Sequence, residues 1–237
     1  KVDIVIGTHA LLSKSVSFKR LGLVIVDEEQ HFGVAQKEKL KALKGGVHVL
    51  TLSATPIPRT LQMALTGVRD LSLITTPPVD RLAVRSFVMP WDAMVLREAI
   101  LRERHRSGQV FFVTPRIQDI GDLKVKIHDL VPEVRLAVAH GQMGAQALDD
   151  IMNAFYEGKY DVLLSTAIVE SGLDVPTANT MIIHRADRFG LSQLYQLRGR
   201  VGRGKIRAYA YFLLPHGREL TRDAGRRLEV MQSLDTL

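Results

Sequence analysis

Residues 23–33 read LVIVDEEQHFG. Four apolar residues run without interruption into three carboxylates, and like charges this close repel one another unless a cation or hydrogen bonds offset them. A short, continuously apolar run is typical of a strand covered on both faces, as in a parallel sheet. The carboxylates then follow the carboxyl end of the strand, where open parallel sheets bind their ligands. From this stretch alone two interpretations stay open, an ordinary charged turn and a cation site.

Apolar runs of the same kind recur along the chain. They predict strands at 2–6, 23–26, 47–52, 110–114, 135–140, 161–166, 180–184 and 208–214. Segments with apolar residues at three- and four-residue spacing lie between many of them and predict helices at 37–44, 93–108, 120–131 and 145–158. Strands and helices that alternate in this way predict an α/β fold with parallel sheets.

One segment interrupts this alternation. Residues 75–92 read TTPPVDRLAVRSFVMPWD, with three prolines and no helical period. Because strand and helix patterns precede and follow it, the segment predicts a connector between two lobes, with a boundary near residue 89. The predicted domains are residues 1–88 and 89–215, and an amphipathic helical pattern follows at 216–237.

The composition is that of a globular protein with a basic surface. Hydrophobic residues make up 46% of the 237, charged residues make up 24%, and the formal net charge is +7. A positive field of this kind favours polyanionic partners such as nucleic acid. The chain has no cysteine, which excludes disulfides and thiolate metal sites. No apolar run approaches the roughly 20 residues that span a bilayer.

Small, polar and charged residues follow several of the predicted strands, and these segments resemble known motifs. Motifs II, III, V and VI of the superfamily 2 helicases and translocases are similar to DEEQ at 27–30, SATPIPRT at 53–60, STAIVESGLDVPTANTMII at 165–183 and QLYQLRGRVGR at 193–203. Motifs Ib and IV are similar to GTHALL at 7–12 and VFFVTPRI at 110–117. The resemblance covers nearly the whole chain in the order of the superfamily, and it implies two RecA-like lobes with parallel sheets.

Within the superfamily the chain resembles two families of bacterial duplex-DNA translocases, the transcription-repair coupling factors and the fork-regressing branch-migration helicases. Both families have segments similar to FKRLGLVIVDEEQHFGV, TPIPRTL and RFGLSQLYQLRGRVGRG. Three segments favour the coupling factors, namely LQMALTGVRDLSLITTPPVDRLAVRSFV, DEEQ and ESGLDVPTANTMII. The coupling factors are therefore the preferred interpretation and the fork-regressing helicases the alternative.

Resemblance to the coupling factors implies ATP-dependent movement on double-stranded DNA in the bacterial cytoplasm. It also implies that the whole protein displaces stalled RNA polymerase and couples transcription to nucleotide excision repair. The implied cofactors are ATP and Mg²⁺. The implied partners are double-stranded DNA, and RNA polymerase and excision-repair proteins through regions outside this chain; no membrane partner is implied. For this chain by itself, a non-catalytic DNA-binding module is a further alternative.

The resemblance also implies roles for residues of the nucleotide site. Asp27 would coordinate the Mg²⁺ of ATP, and Glu28 would polarise the attacking water. Carboxylates suit this hard cation, which takes one or two of them together with phosphate oxygens. Arg200 and Arg203 would reach the phosphates as permanently charged, bidentate guanidinium groups, with Gln196 as a phosphate- or lobe-facing amide. The alternative without a catalytic role is a charged turn after a strand for the carboxylates, and a basic surface loop for the arginines.

Motif V implies nucleotide contacts at Gly172 and Asp174. Contacts with nucleic acid, or coupling between the two sites, are implied for Thr8, His9, Ser53, Thr55, Arg59, Thr60, His140, Gly141, Thr166 and Glu170. Hydroxyl and backbone N–H groups at loop–helix junctions bind phosphate without reading sequence, which fits these residue types. A strand-ending turn is the alternative for the two hydroxyls after residue 52, and helix capping is the alternative for the acidic residues.

The phosphate-binding loop of the superfamily is not found in the sequence. A GxxxxGK[ST] stretch supplies backbone N–H groups and an ammonium to the phosphates, and the 237 residues contain none. The resemblance therefore implies a chain that begins inside the first lobe, contains a complete second lobe and ends within a helical translocation motif at 216–237. We expect this chain by itself to bind nucleotide weakly and not to hydrolyse ATP.

Overall fold

The computed structural model describes residues 2–13, 15–28, 32–43, 46–52, 72, 74, 82–170, 175–215, 217 and 220–233. The chain forms two compact units, Lys1–Leu73 and Ile74–Leu237. Each unit is described by itself below. None of the helices in the described ranges is long and apolar enough to cross a membrane.

The first unit contains a pair of parallel strands. Strand β1 (Leu23–Asp27) pairs with β2 (His48–Leu52), so that Asp27 lies opposite Leu52. Helix α1 (Val34–Leu43) connects them and buries Leu40, while Val26 is the buried residue of β1. A parallel pair requires a crossover of this length between its strands. Both strands and the helix were predicted from the sequence.

The prediction of a strand at residues 2–6 is wrong. This segment has no regular secondary structure, and Val2, Ile4 and Ile6 are 76%, 80% and 94% exposed. A strand needs a partner for its backbone N–H and C=O groups, and no strand of the described residues pairs with this segment. The apolar pattern of a segment does not show whether a partner strand lies beside it.

The second unit is built on a sheet of six parallel strands. The strands are β3 (Arg85–Pro90), β4 (Gln109–Val113), β5 (Leu136–Ala139), β6 (Val162–Ser165), β7 (Ala178–Ile183) and β8 (Tyr209–Leu214). Their order across the sheet is β3-β8-β7-β4-β6-β5, and all neighbours are parallel. The prediction of an α/β fold with parallel sheets is confirmed.

Helices cover both faces of this sheet. They are α2 (Ala93–His105), α3 (Ile120–Leu130), α4 (Ala145–Tyr156), α5 (Leu191–Arg198) and α6 (Arg222–Ser233). Side chains of β4 alternate between the two layers, with Phe111 in the core that contains Leu194 and Leu228, and Phe112 in the core that contains Leu96 and Ile127. Because both faces are buried, β4 and its neighbours are apolar at nearly every position, which explains the continuous apolar runs.

Strand β3 lies within the segment interpreted as a connector. It pairs with β8 from Arg85 opposite Tyr209 to Pro90 opposite Leu214, at the edge of the sheet. Its mixture of polar and apolar residues reflects this edge position and masked the strand in the sequence. A boundary at 88/89 runs through β3, whereas the first compact unit ends at residue 73. The assignment of functional domains to the three predicted ranges stays a prediction.

Candidate functional site

The acidic end of β1 lies at the carboxyl edge of the first unit's sheet. Asp27 is the last residue of the strand and is exposed, and the half-buried Glu28 follows it with φ of +52°. This left-handed conformation is uncommon for a residue with a side chain. The N–H of Glu28 donates to the carbonyl oxygen of Leu52 at 3.1 Å, so β2 holds the turn in place. The two carboxylates are therefore presented from a defined turn at the ligand-binding edge.

The donor set at this turn fits a magnesium ion that arrives with a nucleotide. In the described part of the chain, no group of three or more His, Cys, Asp or Glu side chains could hold a metal ion by itself. Asp27 offers one exposed carboxylate, and Mg²⁺ is commonly bound by one or two carboxylates, with phosphate oxygens and waters as its other ligands. Asp27 could thus supply a protein ligand, and the phosphates would supply the rest.

The other predicted residues of the first unit are only partly described. Thr8 precedes the short 3-10 helix His9–Leu12, and its hydroxyl accepts a hydrogen bond from Ala10 N at 3.3 Å; Thr8 and His9 are both exposed. Ser53, Thr55, Arg59 and Thr60 lie outside the described residues, as do Gly172 and Asp174 of the second unit. Glu170 ends the 3-10 helix Ala167–Glu170, and only its backbone is described.

Four neighbouring strands of the second unit each end in a polar residue at one edge of the sheet. The last paired residues of β7, β4, β6 and β5 lie level with one another. The residues directly after them, which we call the polar edge, are His184, Thr114, Thr166 and His140. Three of their N–H groups donate to the row below at distances of 2.8 to 3.3 Å, so the sheet register extends to the polar edge. The structure thus brings together two predicted residues, Thr166 of motif V and His140.

Two side chains of the polar edge have unused hydrogen-bonding capacity. Thr114 is fully buried, and its hydroxyl has no hydrogen-bond partner among the described residues. The same holds for Nδ1 of the half-buried His140, which is followed by the exposed Gly141. A buried polar atom without a partner is costly, and a water or a phosphate oxygen would remove that cost. Both atoms are buried, so a ligand phosphate would reach them only after neighbouring side chains move.

Sequence reasoning missed Thr114 and His184. Both follow an apolar run directly, so the rule that pointed to Thr166 applied equally to them. The ring of His184 makes an edge contact with Trp91, with 6.3 Å between ring centroids. Burial lowers the pKa of His184, and the charges of Arg185 and Lys126 act in the same direction. The lowered pKa favours the neutral form of the imidazole that lies beside Thr114 on the polar edge.

Helix α5 and the loop after it carry the predicted arginines. Leu194 and Leu197 bury one side of the helix, while Gln196 is half-buried. Arg200 is half-buried and Arg203 is exposed, with Nε of Arg203 3.4 Å from the carbonyl oxygen of Gly199. The structure thus places the predicted amide and both guanidinium groups on one short helix and its loop.

Comparisons with known proteins agree with this architecture. Residues 1–64 match the family model described as DEAD/DEAH box helicase, and residues 92–205 match the one described as helicase conserved C-terminal domain. A transcription-repair-coupling factor from Myxococcus xanthus is 60% identical over the whole chain, and one from Rickettsia bellii is 57% identical over 98% of it. The chain spans about a fifth of the length of these relatives, 20% and 21% respectively.

A solved structure is also similar across the chain. The structure of RecG bound to a three-way DNA junction has a TM-score of 0.74 and 37% sequence identity, and the match covers 99% of this chain and 32% of that one. The similarity includes residues of both units of the chain.

Proposed function

Because the chain belongs to the superfamily 2 helicases and translocases, we propose that it forms part of an ATP-dependent motor that moves along double-stranded DNA. In the whole protein this motor displaces stalled RNA polymerase and couples transcription to nucleotide excision repair, in the bacterial cytoplasm. The observation that carries the proposal is the identity of 60% over the whole chain with a transcription-repair-coupling factor. RNA polymerase and excision-repair proteins bind through regions outside this chain.

The nucleotide chemistry is assigned to two sets of residues. Bound Mg²⁺ would neutralise charge that develops on the phosphate oxygens. Asp27 supplies a carboxylate ligand from the end of β1, and Glu28, held in its turn by β2, orients the attacking water. Arg200 and Arg203 stabilise the negative charge of the transferring phosphoryl group. Gln196, Gly172 and Asp174 contribute further nucleotide contacts.

Binding of the DNA backbone is assigned to the polar edge and to the predicted motif residues. Hydroxyls, imidazoles and backbone N–H groups bind phosphate oxygens without reading the base sequence, as a motor that moves along DNA requires. The grouping of the predicted, half-buried Thr166 and His140 at one edge of the sheet supports this assignment. The remaining proposed contacts or coupling residues are Thr8, His9, Ser53, Thr55, Arg59, Thr60, Gly141, Thr166 and Glu170. The net charge of +7 favours the same polyanion.

The test uses the whole protein that contains this chain. Displacement of a triplex-forming strand from duplex DNA measures translocation, and release of RNA polymerase stalled on a template measures the coupling function. Glu28→Gln is expected to abolish ATP hydrolysis and both activities while DNA binding is kept. Glu38→Gln, on helix α1 of the same unit, is the matched control and is expected to behave as wild type. Wild-type hydrolysis by Glu28→Gln would contradict the assigned role.

A fork-regressing helicase is the second candidate. The 37% identity with RecG over nearly the whole chain supports it. Regression of model replication forks is therefore also measured with the same whole protein. If the protein regresses forks but does not release stalled polymerase, the fork-regressing function is favoured over the coupling function.

For this chain by itself we propose weak nucleotide binding and no ATP hydrolysis. The sequence contains no complete GxxxxGK[ST] stretch, the pattern whose backbone N–H groups and lysine hold nucleotide phosphates. ATP hydrolysis by the purified 237-residue chain, with and without duplex DNA, tests this point. A DNA-stimulated rate from the chain alone would contradict it.

A further inference from the structure

The loop that carries Arg200 and Arg203 is closely packed on the second unit. Its first turn continues α5, with the N–H of Arg200 donating to the carbonyl oxygen of Leu197 at 3.0 Å. Val201 is fully buried between the two arginines. Arg203 remains exposed and Arg200 half-buried, so the loop combines a fixed backbone with accessible guanidinium groups.

Val84 contacts both ends of this loop. Its carbonyl oxygen accepts a hydrogen bond from Nη2 of Arg198, the last residue of α5, at 3.2 Å. Its side chain packs against Gly202, where an added Cβ would approach Cγ2 of Val84 to 2.7 Å. Gly202 has φ of +76°, a conformation that glycine adopts without steric cost. Both the backbone conformation and the packing against Val84 therefore require glycine here.

The sheet holds Val84 in turn. Val84 is 6% exposed and directly precedes β3, where the N–H of Arg85 donates to the carbonyl oxygen of Ala208 at 3.0 Å. Ala208 also packs on Gly202, since the same added Cβ would lie 3.2 Å from its Cβ. The arginine loop is thus held between the beginnings of β3 and β8, two strands in fixed register.

From these contacts we infer that Arg198 and Val84 are positioning residues for ATP hydrolysis. They hold the loop so that Arg200 approaches the phosphates from a fixed direction, and they do not themselves touch the nucleotide. A charged donor contributes most to the transition state when it is already oriented, because no reorganisation is then needed. The inference rests on the proposed role of Arg200 and extends it to the residues that orient the loop.

The experiment measures DNA-stimulated ATP hydrolysis by the whole protein. Arg198→Met keeps the apolar stem and removes the donor to Val84. We expect it to lower kcat by roughly 10- to 100-fold, with KM for ATP changed by less than about threefold. Arg198→Lys restores one donor and is expected to recover part of kcat. Arg104→Met, at an exposed arginine of α2, is the matched control and is expected to leave kcat unchanged.

A double-mutant cycle separates this inference from the proposed function. If Arg198 acts through Arg200, Arg198→Met lowers kcat no further in an Arg200→Ala background, with residual hydrolysis followed by radiolabelled ATP. Multiplicative losses, or wild-type kcat in Arg198→Met, would overturn the inference and leave the proposed function in place. Wild-type kcat in Arg200→Ala would instead overturn the proposed role of the loop.

A second variant covers the case in which Arg198→Met does not fold, as judged by urea unfolding. Val84→Ala removes the contact with Gly202 and leaves the Arg198 side chain unchanged. It is expected to lower kcat more than it raises KM, and to lose this effect in the Arg200→Ala background. If Val84→Ala and Arg200→Ala lower kcat multiplicatively in the double variant, the inference is contradicted.

Discussion

The guanidinium of Arg185 donates to both carboxylate oxygens of Asp187, with N–O distances of 3.0 Å each. Arg185 has φ of +52°, so the chain turns sharply directly after the polar edge. The carbonyl oxygen of Asp187 accepts a hydrogen bond from Nη2 of Arg227 in α6, at 3.0 Å. The ion pair therefore stabilises a turn that joins the end of β7 to α6.

Replacing Asp187 by asparagine is expected to destabilise the folded chain, because Arg185 keeps its charge in a largely buried position. The expected loss is about 1–3 kcal/mol in the free energy of unfolding at pH 7, measured by urea denaturation. Glu157→Gln, which breaks an exposed pair with Lys159, is the control and is expected to cost under about 0.5 kcal/mol.

The same variant should change the acid limb of stability. Burial by itself would raise the pKa of Asp187, but the hydrogen bond and charge of Arg185 outweigh it, so the pKa is lowered. A lowered pKa in the folded state contributes stability above the unfolded value of about 3.9, and this contribution is lost as pH falls. Asp187→Asn should therefore differ less from wild type at pH 3 than at pH 7. An equal difference at both pH values would contradict the ion pair.

The buried amide of Gln109 gives a second stability prediction. Its Nε2 donates to the carbonyl oxygens of Phe155 and Tyr160 at 2.6 and 2.7 Å, and its Oε1 accepts from the hydroxyl of Thr177. Gln109→Met keeps the volume and leaves these groups without their partner, so we expect unfolding to be easier by about 2–4 kcal/mol. Gln146→Met, at an exposed amide of α4, is the control. Equal unfolding midpoints for the two variants would refute the role of the amide.

Trp91 gives an optical test of the environment of His184. A protonated imidazole in contact with indole quenches its fluorescence, and Trp91 is the single tryptophan of the chain. Burial lowers the pKa of His184. The fluorescence emission of Trp91 should therefore decrease as the pH is lowered, and the midpoint of this transition should lie below about pH 6.5. His184 faces the charges of Arg185, Lys126, Asp119 and Asp187, of which the two carboxylates oppose the shift.

His184→Gln is expected to abolish this fluorescence transition without shifting the emission wavelength strongly. The folded protein binds its proton at a lower pH than the unfolded chain, so acidification through this range also favours unfolding of the wild type but not of the variant. A transition centred at or above about pH 6.5 would show that burial does not control the imidazole.

The hydroxyl of Thr114 provides a prediction about DNA binding. Thr114→Val removes a buried hydroxyl that has no partner among the described residues, so the free energy of unfolding should change little or increase. If the hydroxyl binds a DNA phosphate, the affinity of the whole protein for duplex DNA should fall about fivefold, equivalent to about 1 kcal/mol. Fluorescence anisotropy at fixed salt concentration measures this.

Ser165→Ala is the matched control for Thr114→Val. Its hydroxyl is also buried without a partner in the described ranges, but it lies one residue below the polar edge on β6. Affinity should remain at the wild-type value in this variant. Equal losses from both substitutions would mean that the polar edge does not bind DNA through Thr114.

The continuous apolar runs made most of the second unit's strands predictable, because a strand buried on both faces leaves a direct record in the sequence. Helix α4 was predicted at 145–158 and observed at Ala145–Tyr156 for a similar reason, since Phe155 is buried and Leu148, Ile151 and Met152 pack partly buried against the core. Edge strand β3 has no continuous apolar run. The segment at 2–6 has an apolar run, but no strand among the described residues pairs with it. Local pattern reports burial preference, whereas pairing depends on the rest of the chain.

The candidate site was predictable residue by residue but not as a surface. Each of Thr166 and His140 follows a strand, yet nothing in the sequence states that β6 lies between β4 and β5. The crossovers decide this order, and only the strand order shows that Thr114 and His184 extend the same row. The roles assigned to Glu28, Arg200 and the other motif residues stay predictions until the variants above are measured.

The pairing of β3 with β8 also has a mechanical consequence. The chain enters β3 at Arg85 and leaves β8 at Leu214, and the two strands are parallel over six paired residues. A pull on the entering segment and on the departing α6 would therefore act along the strands in opposite directions. Such a load shears the evenly spaced hydrogen bonds together instead of opening them one after another. This pair of strands would thus resist tension applied between the segment before β3 and the segment after β8.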